Sequence, residues 1–177
     1  MEPLDLLKQA LQTDRPVHWD DFPDISLYMD QVISYMPRQF INAGVDNELT
    51  PAMVNNYIKD GLLPRAEGKK YTRVHLAYLS MICALKQVLS VKEIKFLLKD
   101  IQSSQEPESL YQEYCEALDN ALAETAESLT RSLSEESLSH IALKFALRSY
   151  ADRLVCACIL NTLFPDENEK NKKNKPD

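Results

Sequence analysis

Apolar residues recur at helical spacing through most of this chain, and alternation of the kind that marks strands is nowhere sustained. Leu4, Leu7, Ala10 and Leu11 share one face of a short helix that Pro16 closes; Met29, Val32, Ile33 and Met36 share a face of a second, which Ser26 is placed to cap and Pro37 disturbs. Between them, residues 16–25 show no period and carry Trp19 and Phe22 among aspartates. This predicts an extended arm whose two aromatics lie on the body of the domain, with Trp19 supplying buried area rather than stacking on a ligand. Leu110, Tyr114, Leu118, Ala121, Leu122, Thr125, Leu129 and Leu133 trace one stripe of a long helix over 110–133. A last helix runs from about Ser134 to Pro165. Leu138, Ile141, Ala142, Phe145, Leu154, Val155, Cys158 and Ile159 form its apolar face, and Cys156, Ala157, Leu160 and Leu163 widen that face in the second half. So broad an apolar surface has to be covered on more than one side.

The stretch from Thr50 to Leu98 organises the chain, because three helix starts can be read in it. Thr50 before Pro51 places a hydroxyl N-cap ahead of a proline whose missing N–H costs nothing at the first helical position, and Gly61 ends that helix. Thr72 opens a second helix at Arg73 after a basic loop. Ser90 and Glu93 form a capping box for a third from about Val91. On the first of these helices, 51–60, Val54 and Ile58 face inward, Tyr57 lies near the boundary, and Ala52, Asn55, Asn56 and Lys59 share the opposite side. The polar stretch 102–109, with Pro107, is the best linker in the sequence.

Composition narrows the class. The chain has 177 residues, 45% of them hydrophobic, and only three glycines, enough for a helical core and unsuited to an all-β or dinucleotide-binding architecture. The expected fold class is all-α. No apolar run reaches transmembrane length and the four cysteines lack framework spacing, so a cytoplasmic location is expected. A net charge of −7 argues against a nucleic-acid binder until its distribution is read. Residues 50–100 hold nine basic and four acidic side chains, whereas both flanks are acidic. A local positive field of that kind is what phosphate contact requires.

The order Tyr57, Gly61-Leu62-Leu63, basic loop, Tyr71, then Leu76, Leu79, Ile82, Leu85-Lys86, then Ser90, Glu93-Ile94-Lys95 and Leu97-Leu98 resembles the DNA-binding domain of the MerR transcription regulators. A wider stretch, from Trp19 through residues 27–32 to about Ile101, resembles a less characterised bacterial family of MerR-like proteins of unknown function. The resemblance implies a winged helix-turn-helix domain with a small wing over 24–101. It is preceded by an N-terminal helix and arm, 1–23, and followed by a C-terminal helical region, 109–165, and a disordered tail, 166–177. The 37–49 stretch between the first two helices of that motif is longer than a tight turn, so Arg38 to Glu48 either prolong the first helix to about Asn42 or form an inserted loop.

It also implies a function: sequence-specific binding of double-stranded DNA by a transcriptional regulator. Helix 51–60 would enter the major groove and the basic wing, 64–73, would lie on phosphates. Asn55 and Asn56 are the candidate base contacts, since an amide donates to and accepts from an adenine edge at once. Tyr57, Lys59, Arg65, Lys69, Lys70, Tyr71 and Arg73 are the candidate phosphate contacts. The surplus apolar surface of helix 135–163 leads to the expectation of a homodimer, with the C-terminal helices either dimerising or receiving a small-molecule or protein effector.

Other chemistry finds no support. His18, His75 and His140 are far apart, His75 reading as an exposed or capping residue. No phosphate loop, nucleophile elbow or zinc-protease helix occurs. Cys156 and Cys158, two apart on a helix, point about 200° from each other and are expected as buried thiols. No enzyme activity, cofactor or metal is therefore expected. The alternative function is a helical protein–protein interaction module that keeps the winged-helix scaffold without binding DNA.

Overall fold

The computed structural model describes residues 3–41 and 48–165, so the expected tail and much of the 37–49 insertion lie outside the described residues. The chain is mostly helical and divides into two compact units, residues 1–131 and 132–177. Seven α-helices are described: α1 (Pro3–Thr13), α2 (Met29–Tyr35), α3 (Pro51–Lys59), α4 (Arg73–Leu85), α5 (Val91–Gln102), α6 (Pro107–Glu135) and α7 (Leu138–Leu163). Short 3-10 turns stand at Trp19–Asp21 and Met36–Gln39. Among the described residues, extended pairing is limited to two isolated bridges, Leu27 with Tyr71 and Glu67 with Lys70. No described helix is long and apolar enough to cross a membrane.

In the first unit α4 is the central element. Every residue from His75 to Cys83 is buried, as expected of a helix apolar on all sides that neighbours cover all round. The 3-10 turn at Met36–Gln39 packs on it, and α2 packs on α3. Val32, Met36, Val54, Ile94 and Tyr111 are all fully buried, drawing α2, its following turn, α3, α5 and α6 into one core. Helix ends follow their local chemistry. Thr50 Oγ1 accepts from Met53 N at 3.3 Å ahead of Pro51. Ser90 Oγ accepts from Glu93 N at 3.3 Å while Glu93 Oε2 accepts from Ser90 N at 2.8 Å. Gly61, at φ +70°, lets Leu62 N return to Tyr57 O at 2.8 Å and so closes α3.

Three boundaries differ from the sequence reading. Ser26 does not cap α2. Leu27 exchanges both backbone hydrogen bonds with Tyr71, at 2.8 Å each, which holds the chain extended until Tyr28, and Tyr28 N then donates to Gln31 Oε1 at 2.8 Å. α6 begins at Pro107, not Leu110, and reaches Glu135. The division of the chain falls inside α6 and not at the polar stretch 102–109, because Leu110 and Tyr111 are buried in the core of the first unit.

A polar knot ties the ends of that unit together. The buried Gln39 Oε1 lies 3.2 Å from Val17 N, 3.2 Å from Ser80 Oγ and 3.1 Å from the Tyr111 hydroxyl, which itself donates to Val17 O at 2.8 Å. One amide thus meets the arm, α4 and α6. Around it Trp19, Phe22 and Tyr111 form an aromatic cluster, with the Phe22 and Tyr111 centroids 5.2 Å apart.

In the second unit Ile141 and Leu160 are buried, while Leu143, Leu147, Tyr150, Leu154, Val155 and Ile159 on α7 are exposed. Leu143, Leu147, Tyr150, Leu154 and Ala157 alternate at spacings of four and three, the seam of a coiled coil. Lys144 pairs with Glu136 at 2.6 Å and Arg148 faces Asp152 at 4.0 Å, so charges beside the seam meet partners within the same unit.

Candidate nucleic-acid interface

α3 presents two faces, and the reason is its spacing. Val54 and Tyr57 are three apart and buried, with Ile58 half-buried beside them; Ala52, Asn55, Asn56 and Lys59 are exposed together on the other side. Tyr57 thus belongs to the core, not to the boundary where the sequence placed it. Burial pushes its phenol pKa up, with Cys83 nearby adding to the shift. The exposed face carries two amides and one ammonium, and Asn55, Asn56 and Lys59 make no side-chain hydrogen bond or ion pair within the described residues.

Beyond Gly61, in the stretch where the sequence reading expects a wing, the chain makes one tight turn. Lys70 N donates to Glu67 O at 3.0 Å, and the two residues between them, Gly68 at φ +56° and Lys69 at φ +63°, are both left-handed, the pattern of a type I′ hairpin turn. The turn lifts Lys69 and Lys70 into solvent, and Arg65 at the start of the loop is exposed as well. Below the tip, Tyr71 is anchored by its backbone pairing with Leu27 and buries its ring, 5.5 Å from His75. Burial raises its pKa too. Lys70 Nζ stands 5.9 Å over the Tyr28 ring, a second tie between this turn and the entry to α2.

His75, below that turn, is a capping residue of α4. Its Nδ1 accepts from Thr72 N at 3.0 Å and lies 2.9 Å from Thr72 Oγ1, so the ring replaces the usual glutamate of a capping box. It is buried, not exposed. That burial lowers its pKa below the ordinary value, opposed by the backbone of Arg65 and Pro64.

The sequence-predicted phosphate contacts therefore separate into two groups. Lys59, Arg65, Lys69 and Lys70 are exposed. Tyr57 and Tyr71 are each only 5% exposed and spend their rings on the core. Arg73 is half-buried, ion-paired to Asp24, with its guanidinium 6.0 Å over the Trp19 ring, so it clamps the arm to the start of α4. One cation escaped the sequence reading: Lys95 on α5. A methyl on Gly61 would stand 3.5 Å from Lys95 Nζ, which places this ammonium at the carbonyl end of α3 where the helix dipole favours it. The signal for it was the Lys92, Lys95, Lys99 spacing along an amphipathic helix.

Thiol and metal chemistry stay outside this surface. Burial pushes Cys83 up to about 11 and raises Cys115. Cys158 is exposed and Cys156 half-buried, against the expectation that both are buried thiols. Among the described residues no three side chains are placed to hold a metal ion.

Residues 17–115 match the family described as a domain of unknown function, DUF1836. The chain belongs to that family. Its matched segment opens at Val17 and closes at Cys115, past Tyr111, so the DUF1836 segment contains both residues joined across the polar knot. It contains α3, the 67–70 turn and α5 entire. No curated protein and no solved structure matches the chain.

Proposed function

We propose that this protein is a sequence-specific double-stranded DNA-binding regulator of the MerR-like winged helix-turn-helix kind, with α3 entering the major groove and the wing resting on the backbone. The observation that carries the reading is the composition of the exposed α3 face, Asn55, Asn56 and Lys59, joined by one short loop to a turn that holds Lys69 and Lys70 in solvent. Amides that donate and accept together suit base edges, and ammonium groups on a projecting turn suit phosphates. Lys95 extends the cationic margin past the end of α3. The local excess of nine basic over four acidic residues in 50–100 supports the same reading against a chain that is acidic as a whole.

A second copy of the chain is the natural partner, since paired recognition helices read a two-fold site and α7 leaves a heptad-spaced apolar seam exposed. Charge on the flanks of the chain limits indiscriminate binding, which leaves amide contacts to select the site.

The test is duplex binding by fluorescence anisotropy, using fragments selected from genomic DNA and a random duplex, over a series of salt concentrations. Affinity should fall steeply with salt. Lys69→Ala and Lys70→Ala should weaken both duplexes and reduce the log–log salt slope by about 0.9 per lost contact. Asn55→Ala should cost about 1–3 kcal/mol on the selected site and little on the random one. If the folded protein shows no salt-dependent duplex binding, the regulator reading fails and this face belongs to a protein partner.

A further inference from the structure

A cavity of about 260 Å³ lies where the arm crosses the early turns of α6. Its apolar lining comes from Trp19 and Pro16 of the arm and Tyr111 and Cys115 of α6, and His18 and Gln112 add polar groups beside them. The Tyr111 hydroxyl is turned away to Val17 O and Gln39, so this residue offers the cavity its ring. Cys115 has its pKa raised, chiefly by burial, and presents a neutral thiol. Trp19 is only half-buried despite sitting in the aromatic cluster, and its exposed part lines the opening. An aromatic cluster that left a tryptophan partly open merely by poor packing would forfeit buried area that the neighbouring helix could supply.

The rim decides what such a cavity would accept. Arg15 is its one arginine or lysine, and it is fully engaged: Nε is paired with Asp119, and Nη1 donates to Leu11 O at 3.2 Å and Asp14 O at 2.7 Å. Its charge is matched by Asp119. Glu116, one helical turn before Asp119, is exposed and has no ion pair or hydrogen bond within the described residues. Aromatic and apolar faces beneath one carboxylate without an ion pair, with the exposed His18 beside them, suit a ligand with a planar apolar body and a protonated nitrogen. The ring would stack on Trp19 and the nitrogen would meet Glu116, where the charge-assisted hydrogen bond and the cation's attraction to the aromatic face act together.

We infer that this cavity is a binding site for small arylalkylamines, a use of Trp19 beyond the core packing its sequence context suggests. The site stands independently of the duplex reading. It touches the surface described above at one point, because the ring that lines the cavity is the ring over which Arg73 stands at the root of the wing.

Trp19 is the only tryptophan in the chain, so its emission reports the site directly. The full-length protein is titrated with phenethylamine and, separately, with 3-phenylpropanoate, which has a similar shape and the opposite charge. Saturation-transfer NMR on the same samples detects binding that leaves the emission unchanged. Phenethylamine should saturate with a Kd of about 1 mM or tighter, and 3-phenylpropanoate should bind at least about tenfold more weakly. Glu116→Gln, a change at an exposed position that leaves the helical circular dichroism spectrum intact, should erase the difference between the two probes. Equal binding of both probes to the unaltered protein, preference for the anion, or no saturation transfer from either would overturn the inference. So would an amine preference that survives in Glu116→Gln.

Discussion

The hydroxyl of Tyr111, on α6, donates to the carbonyl of Val17, in the arm, at 2.8 Å. Ninety-four positions of sequence separate the two residues, and the hydrogen bond between them closes the family domain on itself. Tyr111 is fully buried, and burial pushes its phenol pKa upward, so the group acts only as a neutral donor.

Removing that oxygen while keeping the ring isolates the bond. Tyr111→Phe leaves the Val17 carbonyl without this donor, and a buried acceptor left unpaired costs about 1–3 kcal/mol. Urea unfolding followed by Trp19 emission, which reports the first unit alone, should show the loss as a lower midpoint at unchanged slope. An unaltered midpoint would mean that the knot contributes nothing to stability.

His75 gives the same unit a pH dependence. Its folded pKa lies below the unfolded value of 6.5, so the unfolded chain binds the proton more readily. The stability contributed by the neutral ring is therefore complete above the unfolded value and is lost as pH falls below it. His75→Gln keeps an acceptor at the capping position and removes the titration. Melting curves between about pH 7.5 and 5.5 should converge at the low end, the histidine protein losing more than the glutamine variant. Parallel curves would assign the proton to another group.

On α7 eight large apolar side chains, from Leu138 to Leu163, are each 50–62% exposed. At on the order of 100 Å² apiece they expose on the order of 800 Å², the share one partner brings to a stable interface. The full chain should run in light scattering at twice 20.3 kDa, and Leu147→Glu with Leu154→Glu should run as a monomer of unchanged helicity. Unaltered protein found at the mass of one chain at tens of micromolar would remove the pairing.

What the sequence disclosed was local. Thr50 before Pro51, Ser90 with Glu93, and Gly61 act within one helical turn of themselves, and they fall where their chemistry dictates. What it hid was distant. Nothing near Ser26 shows that Leu27 is held extended by Tyr71, and nothing near Arg73 shows that Asp24 claims its charge. The amphipathic period placed Asn55, Asn56 and Lys59 on one exposed face, but the period alone could not decide that Tyr57, at the edge of that face, turns inward. Gln39 is the plainest case, a polar residue in an apparent loop that proves to be buried and to join the arm, α4 and α6.

Lys69 holds its place at the tip of the wing against its own backbone preference. A side chain with a β-carbon at φ +63° costs roughly 1–2 kcal/mol that glycine would not incur. Lys69→Gly should therefore raise the melting temperature while loosening the grip on any polyanion, and Lys69→Ala, which keeps the β-carbon, should loosen the grip with little change in melting temperature. A residue whose replacement makes the protein sturdier and its activity poorer is one that the fold tolerates for the sake of what it touches. If the proposed duplex binding holds, stability and function pull in opposite directions at this position, and the present chain has settled on the charge.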